Sequence, residues 1–259
     1  MRRYVFTVSL LLTVIAANVE AQTRYTVDAV RGKRIEVTKT LDGCIPEDIK
    51  DIIAPYKASV DSLMCPVLGR SSMFMDANRP ESLLSNWVAD VLRESSASVD
   101  GMKRPADIGL CNIGGLRAAL SEGNVTVGDV IEVAPFENSL CVLTLRGDAL
   151  LTLMSQIAAS GGEGVSHGVE LVADGNGNVI SVRLNGKPIK KSKKYTIATL
   201  NYLAEGNDGM MALKDAVECK NTDIMIRDVL MNFIRSQSEK GKMIGSKMEN
   251  RIIIEGGAK

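Results

Sequence analysis

The stretch Asp107-Ile108-Gly109-Leu110-Cys111-Asn112-Ile113-Gly114-Gly115-Leu116-Arg117 decides the fold. Asp107–Cys111 has no polar alternation, so it reads as a buried strand rather than one with a wet face. It runs directly into a polar Asn and two glycines, which let the backbone turn sharply and approach a ligand closely. A buried strand ending in such a turn is a building unit of α/β domains.

The same grammar recurs outward from this point. Leu140–Leu145 and Tyr195–Leu200 are apolar strands, and Gly147-Asp148 opens a helix carrying Leu150, Leu151, Leu153 and Met154. Val169–Ala173 and Val179–Leu184 form a hairpin across Asp174-Gly175-Asn176-Gly177-Asn178, and Asn185-Gly186 makes a second tight turn. Thr126 is placed to cap a short helix containing Val130 and Ile131. A longer helix is expected over about Ile224–Ser238, and a last strand over Arg251–Ile254. Upstream, a helix from about Glu81 turns Leu83, Leu84, Trp87, Val88, Val91 and Leu92 to one face, where Trp87 reads as core. The pattern predicts an α/β (α+β) single domain with a mixed β-sheet flanked by helices.

Residues 1–21 read as a signal peptide. Arg2 and Arg3 precede an apolar run from Val5 to Ala17, and Val19 and Ala21 have the spacing of a cleavage site. The expected product is exported, periplasmic or secreted, with no membrane span in the mature chain. Residues 22–42 hold two short strands, Tyr25–Val30 and Arg34–Val37. Residues 43–68 hold a helix opened by Pro46, with Ile49, Ile52, Ile53, Tyr56, Val60 and Leu63 in one stripe and Pro55 inside it. Residues 69–259 complete the domain. Five cysteines match no metal motif. Cys111 and Cys141 lie in strand-like runs and read as small core residues, whereas Cys44 and Cys65 flank a helix too long for a bond between them.

Composition excludes much chemistry. Lys plus Arg equals Asp plus Glu at 31 each, which argues against nucleic acid as a partner. The one histidine, His167, cannot populate a two-metal hydrolase site, and it reads as an exposed loop residue. No Gly-x-Ser-x-Gly elbow or phosphate-loop lysine motif is present. Gly161-Gly162-Glu163-Gly164 lacks the strand-then-helix context of a dinucleotide fingerprint.

Three loops remain: Asn112–Arg117, Pro135–Asn138 and Asn201–Gly209. Phe136 and Tyr202 are two of only nine Phe and Tyr residues, and an aromatic face stacks a flat base. Arg117 offers a fork of donors for phosphate or hydroxyl oxygens, and Asp208 can accept from a ribose. Each loop alone has a plainer reading: a strand-to-helix turn, a Pro-Phe core corner, a helix-capping Asp.

Taken in order, the loops resemble the C-terminal domain of the 5'-nucleotidase family, which includes 2',3'-cyclic phosphodiesterases. The carriers are Asn112-Ile113-Gly114-Gly115-Leu116-Arg117, Pro135-Phe136-Glu137-Asn138, Leu200-Asn201-Tyr202 and Gly206-Asn207-Asp208-Gly209. The resemblance spans roughly residues 45–255. It implies that Phe136 and Tyr202 sandwich a base, with Asn112, Gly115, Arg117, Asn138 and Asp208 around it. Arg79 is the nearest counterpart of a further family Arg. Ile113 and Asn207 stand where the family pattern has Gly, which puts the opening of the first loop and the ribose contact in doubt.

The resemblance further implies no catalytic residues and no cofactor on this chain. Divalent metals are expected only on a partner, a separately encoded metallophosphatase subunit docking near the Pro46–Met64 helix, which resembles the family's interdomain linker. The expected function is the nucleoside- or nucleotide-recognition half of an exported 5'-nucleotidase. The alternatives are a stand-alone nucleoside-binding protein and an interaction module that has lost its ligand.

Overall fold

The structure, a computed structural model, describes residue 43 and residues 45–256. The expected signal peptide, the two strands of residues 22–42 and Cys44 lie outside the described residues. The chain divides into two compact units, residues 1–52 and 53–259. Helix α1, Glu47–Met64, continues through Pro55, and its apolar stripe is exposed.

The second unit follows in the order β1 (Val67–Ser71), α2 (Leu83–Ser95), β2 (Ile108–Cys111), β3 (Gly123–Thr126), α3 (Val127–Val133), β4 (Ser139–Arg146) and α4 (Gly147–Ala159). Then come β5 (Gly164–Val165), β6 (Val169–Asp174), β7 (Val179–Leu184), β8 (Lys187–Pro188), β9 (Lys194–Leu200), α5 (Asn201–Ala204), β10 (Glu218–Met225), α6 (Ile226–Glu239) and β11 (Ile252–Glu255). The central sheet has the strand order β10-β4-β9-β2-β5. It is mixed, as expected: β2 and β9 run parallel, while β4 is antiparallel to both β9 and β10. A second sheet, β11-β6-β7-β8, holds the predicted hairpin, and β1 pairs with β3 in a small ribbon.

Local chemistry accounts for these elements. Ser82 caps α2 by accepting from the Ser85 amide. Thr126 caps α3 in a reciprocal box with Asp129, which satisfies two otherwise unpaired amides at the helix start. The Asn185-Gly186 turn places both residues at positive φ, 52° and 71°, the backbone that a two-residue hairpin needs. Helix α2 buries Leu84, Trp87, Val88, Val91 and Leu92. It lies so close on β2 that a Cβ on Gly109 would sit 1.9 Å from the Ala89 carbonyl oxygen. Trp87 meets Phe233 of α6 edge-on, with centroids 6.2 Å apart, and is core as expected.

Cys111 and Cys141 are buried. Burial pushes both thiols up, that of Cys141 to about 12, so both stay protonated and behave as small hydrophobes. Strands β1, β3, β5 and β10 were not anticipated. The β10 sequence, ECKNTDIM, lies at the sheet edge with no fully buried residue, so it lacks the alternation that marks a strand.

Candidate functional site

The topology brings the three loops together. Parallel neighbours β2 and β9 end at the same edge of the sheet, in Asn112 and Asn201. Strand β4 runs the other way and starts at that edge, with Leu140 opposite Leu200. Its leading loop, Pro135–Asn138, therefore lies beside the other two. The Asn201 side-chain oxygen accepts from the Ser139 amide at 3.0 Å, and the Asn138 carbonyl accepts from the Ile226 amide at 2.9 Å.

Between them is a cleft of about 280 Å³ lined by Asn112, Gly114, Gly115, Phe136, Asn138, Tyr202 and Asp208. A larger hollow of about 390 Å³ lies elsewhere, between α2, α6 and β10, and none of the expected residues lines it. The cleft is slightly below the usual range for small-molecule sites, roughly 300–1,000 Å³. Phe136 is 50% exposed and Tyr202 is 38% exposed, so each leaves part of its ring open to the cleft.

A hydrogen-bonded chain runs through the cleft. The Tyr202 hydroxyl donates to one Asp208 oxygen at 2.9 Å, and the Asn112 amide nitrogen donates to the other at 2.6 Å. The bond to Asp208 raises the Tyr202 phenol above its ordinary range. Asp208 has φ 53° and ψ 30°, a left-handed conformation that Asp tolerates better than most residues. Asn207 donates its side-chain amide to the Tyr202 carbonyl at 2.7 Å, so the Asn at this position closes the loop on itself. At Gly115 a Cβ would lie 2.7 Å from the Asn112 side-chain oxygen, so a larger residue would displace that amide.

The structure thus gathers six expected residues, Asn112, Gly115, Phe136, Asn138, Tyr202 and Asp208, around one cleft. It does not bring Arg79 and Arg117 to the lining. Arg117 is exposed and donates to the Gly114 carbonyl at 3.1 Å. Arg79 pairs with Glu163 and donates to the Gly162 carbonyl at 2.9 Å. Sequence reasoning missed Glu163. Its partners lie 84 and 50 residues away, and its Gly-rich surroundings suggested only a loop.

The 5'-nucleotidase C-terminal domain family matches residues 65–215, more than half of the sequence. The chain belongs to this family. Protein UshA of Yersinia enterocolitica is 34% identical over 137 residues, 51% of this chain and 25% of that protein. An apyrase of Tabanus yao is 30% identical over 169 residues, 58% of this chain and 30% of that protein. The solved 5'-nucleotidase precursor of Thermus thermophilus superposes with a TM-score of 0.71 at 26% identity, covering 84% of this chain and 45% of that one. The chain thus spans between a quarter and a half of the length of these proteins. The likeness lies in their C-terminal domain, the fold expected from the three loops. Among the described residues no helix is long and apolar enough to cross a membrane, and no group of three or more His, Cys, Asp or Glu is placed to hold a metal ion.

Proposed function

We propose that this domain recognises a nucleoside or nucleotide in the Phe136–Tyr202 cleft. The observation that carries the reading is that cleft: two partly exposed rings beside a carboxylate held by two donors. The base stacks on the rings, and Asp208 accepts from ribose hydroxyls. A carboxylate offers about four lone-pair directions, of which Asn112 and Tyr202 use two. Phosphate groups fall to Arg117, on the exposed side of the same loop.

Hydrolysis draws on catalytic groups outside these 259 residues, because one histidine cannot build a dimetal centre. We assign those groups and their divalent metals to a metallophosphatase partner. Its docking surface is the exposed stripe of α1, including Tyr56, Val60 and Leu63. Both proteins are taken to work outside the cytoplasm, after export directed by residues 1–21.

Calorimetric titration with adenosine and AMP tests recognition. Wild type is expected to bind saturably, and Phe136→Ala and Tyr202→Ala to weaken binding roughly five- to hundredfold each. Binding that neither substitution changes sinks the sandwich. Mixing with a family metallophosphatase domain is expected to give metal-dependent phosphate release from AMP above that of the partner alone. No gain removes the partner from the reading.

A further inference from the structure

We propose that Glu163 is the positioning residue of the cleft: its buried carboxylate grips Arg79 on one side and the Asn112–Gly115 loop on the other, and so sets the Asn112 amide that holds Asp208, the acceptor for Tyr202. The inference rests on the nucleoside reading above and deepens it. Glu163 is 1% exposed, unusual for a carboxylate unless it is paired. One oxygen takes the Arg79 guanidinium, and the other accepts from the Ile113 backbone amide at 2.5 Å. Ile113 follows Asn112 and opens the turn Ile113–Gly115. The bonds therefore form a relay across four chain segments: Arg79, Glu163, the Asn112 loop, then Asp208 with Tyr202.

The flanking glycines explain why the carboxylate stays in place. A Cβ on Gly162 would lie 2.4 Å from the Pro80 carbonyl oxygen, and one on Gly164 would lie 2.4 Å from the Cys111 sulfur. The loop is thus pressed between the approach to α2 and the end of β2, and the side chain has little room to swing. The groups that face Glu163 are Arg79, Asp208 and the neutral Cys111 thiol. Burial, reinforced by the Asp208 charge, outweighs the Ile113 amide and Arg79 and holds the Glu163 carboxyl above its ordinary range. When protonated, one oxygen becomes a donor and the carboxyl loses acceptor strength toward Arg79 or Ile113. Ligand affinity is then expected to fall as pH drops through that raised value, and E163Q to flatten the fall. Asp208 is retained in E163Q, so the difference between the two pH profiles isolates Glu163.

The test joins two readouts on wild type, E163Q and R79Q. Adenosine affinity is measured by calorimetry from about pH 8 to about pH 5. The Ile113 backbone and Asn112 side-chain amide resonances are followed in the ligand-free proteins. In E163Q the expected result is about tenfold weaker binding with displaced Asn112 resonances. R79Q keeps Glu163 and serves if E163Q does not fold; it is expected to move the Ile113 and Asn112 signals in the same sense. Unmoved Asn112 resonances in a folded variant, or unchanged adenosine affinity in one, overturn the proposal. If wild type does not bind adenosine, the nucleoside reading fails, and the resonances alone then decide whether Glu163 positions the loop.

Discussion

Arg251 is 3% exposed, and replacing it with Met tests how the end of the chain is fastened to the site-bearing half of the fold. Its guanidinium donates to both Asp90 oxygens at 2.9 and 2.8 Å, to Glu249 at 3.0 and 2.8 Å, and to the Val165 carbonyl at 2.8 Å. Met keeps much of the volume and removes every donor. Asp90 and Glu249 are about 30% exposed at the side chain and recover part of their hydration, which moderates the loss. The Val165 carbonyl, in buried β5, recovers little, and an unsatisfied buried acceptor costs about 1–3 kcal/mol. Removing one member of a buried ion pair typically costs about 3–5 kcal/mol, and with both carboxylates partly hydrated a loss near the lower end of that range is expected here. For a domain of this size it amounts to a melting point lower by roughly 10 °C. Thermal unfolding followed by near-ultraviolet circular dichroism, with denaturant titration, reads it directly. Lys at 251 rescues little, because one ammonium cannot reproduce a fork serving two carboxylates and a carbonyl. A melting point within about 2 °C of wild type refutes the reasoning and makes the cluster a solvated surface network.

Three further outcomes are expected. Gly109→Ala drives a methyl into the Ala89 carbonyl and forces α2 off β2, at a cost near the upper end of the roughly 1–3 kcal/mol seen for overpacking, read by the same unfolding curves. Glu249 is held below its ordinary range, first by its bond to His167 and then by Arg251. A carboxyl depressed in the folded state adds stability above its unfolded pKa and loses it as pH falls through the folded value, so Glu249→Gln is expected to be less sensitive to acid than wild type between about pH 5 and pH 3; parallel curves of denaturation midpoint against pH count against it. Asp208→Asn is expected to return the raised Tyr202 phenol toward its ordinary value, so one component of an ultraviolet tyrosinate titration moves to lower pH; an unchanged curve means that the Tyr202–Asp208 bond does not form in solution.

Much of this architecture was legible from residue order alone. Strands β2, β4 and β9 announce themselves because each is buried, and burial leaves apolar runs bounded by Gly, Pro or Asn. Strand β10 was hidden because an edge strand buries little and needs no apolar period; its identity rests on pairing with β4. Around the cleft, residue type was legible and direction was not. Arg79 and Arg117 carry the charge that a phosphate seeks, yet one turns to Glu163 and the other to the Gly114 carbonyl. The Glu163 contact joins residues 50 apart, and no local pattern encodes a partner at that distance.

The cleft and the core share material, and this governs which changes report on recognition. Asn112 and Glu163 are both buried and bonded to the chain around them, so replacing either alters local packing as well as ligand contacts. Phe136, on the neighbouring Pro135–Asn138 loop, is half exposed, so its removal forfeits less buried area, whereas Tyr202 is 38% exposed and gives up its bond to Asp208 when it is replaced. A loss of nucleoside affinity in the Phe136 variant with the melting point unchanged therefore belongs to the ligand, whereas in Tyr202→Ala it also includes the lost bond to Asp208. The same loss in an Asn112 variant would need a stability measurement beside it before it could be assigned. A half-exposed Phe136 ring at the end of a well-packed sheet forgoes burial that the fold could otherwise use, which is the expected arrangement where an aromatic face is kept open for a flat partner.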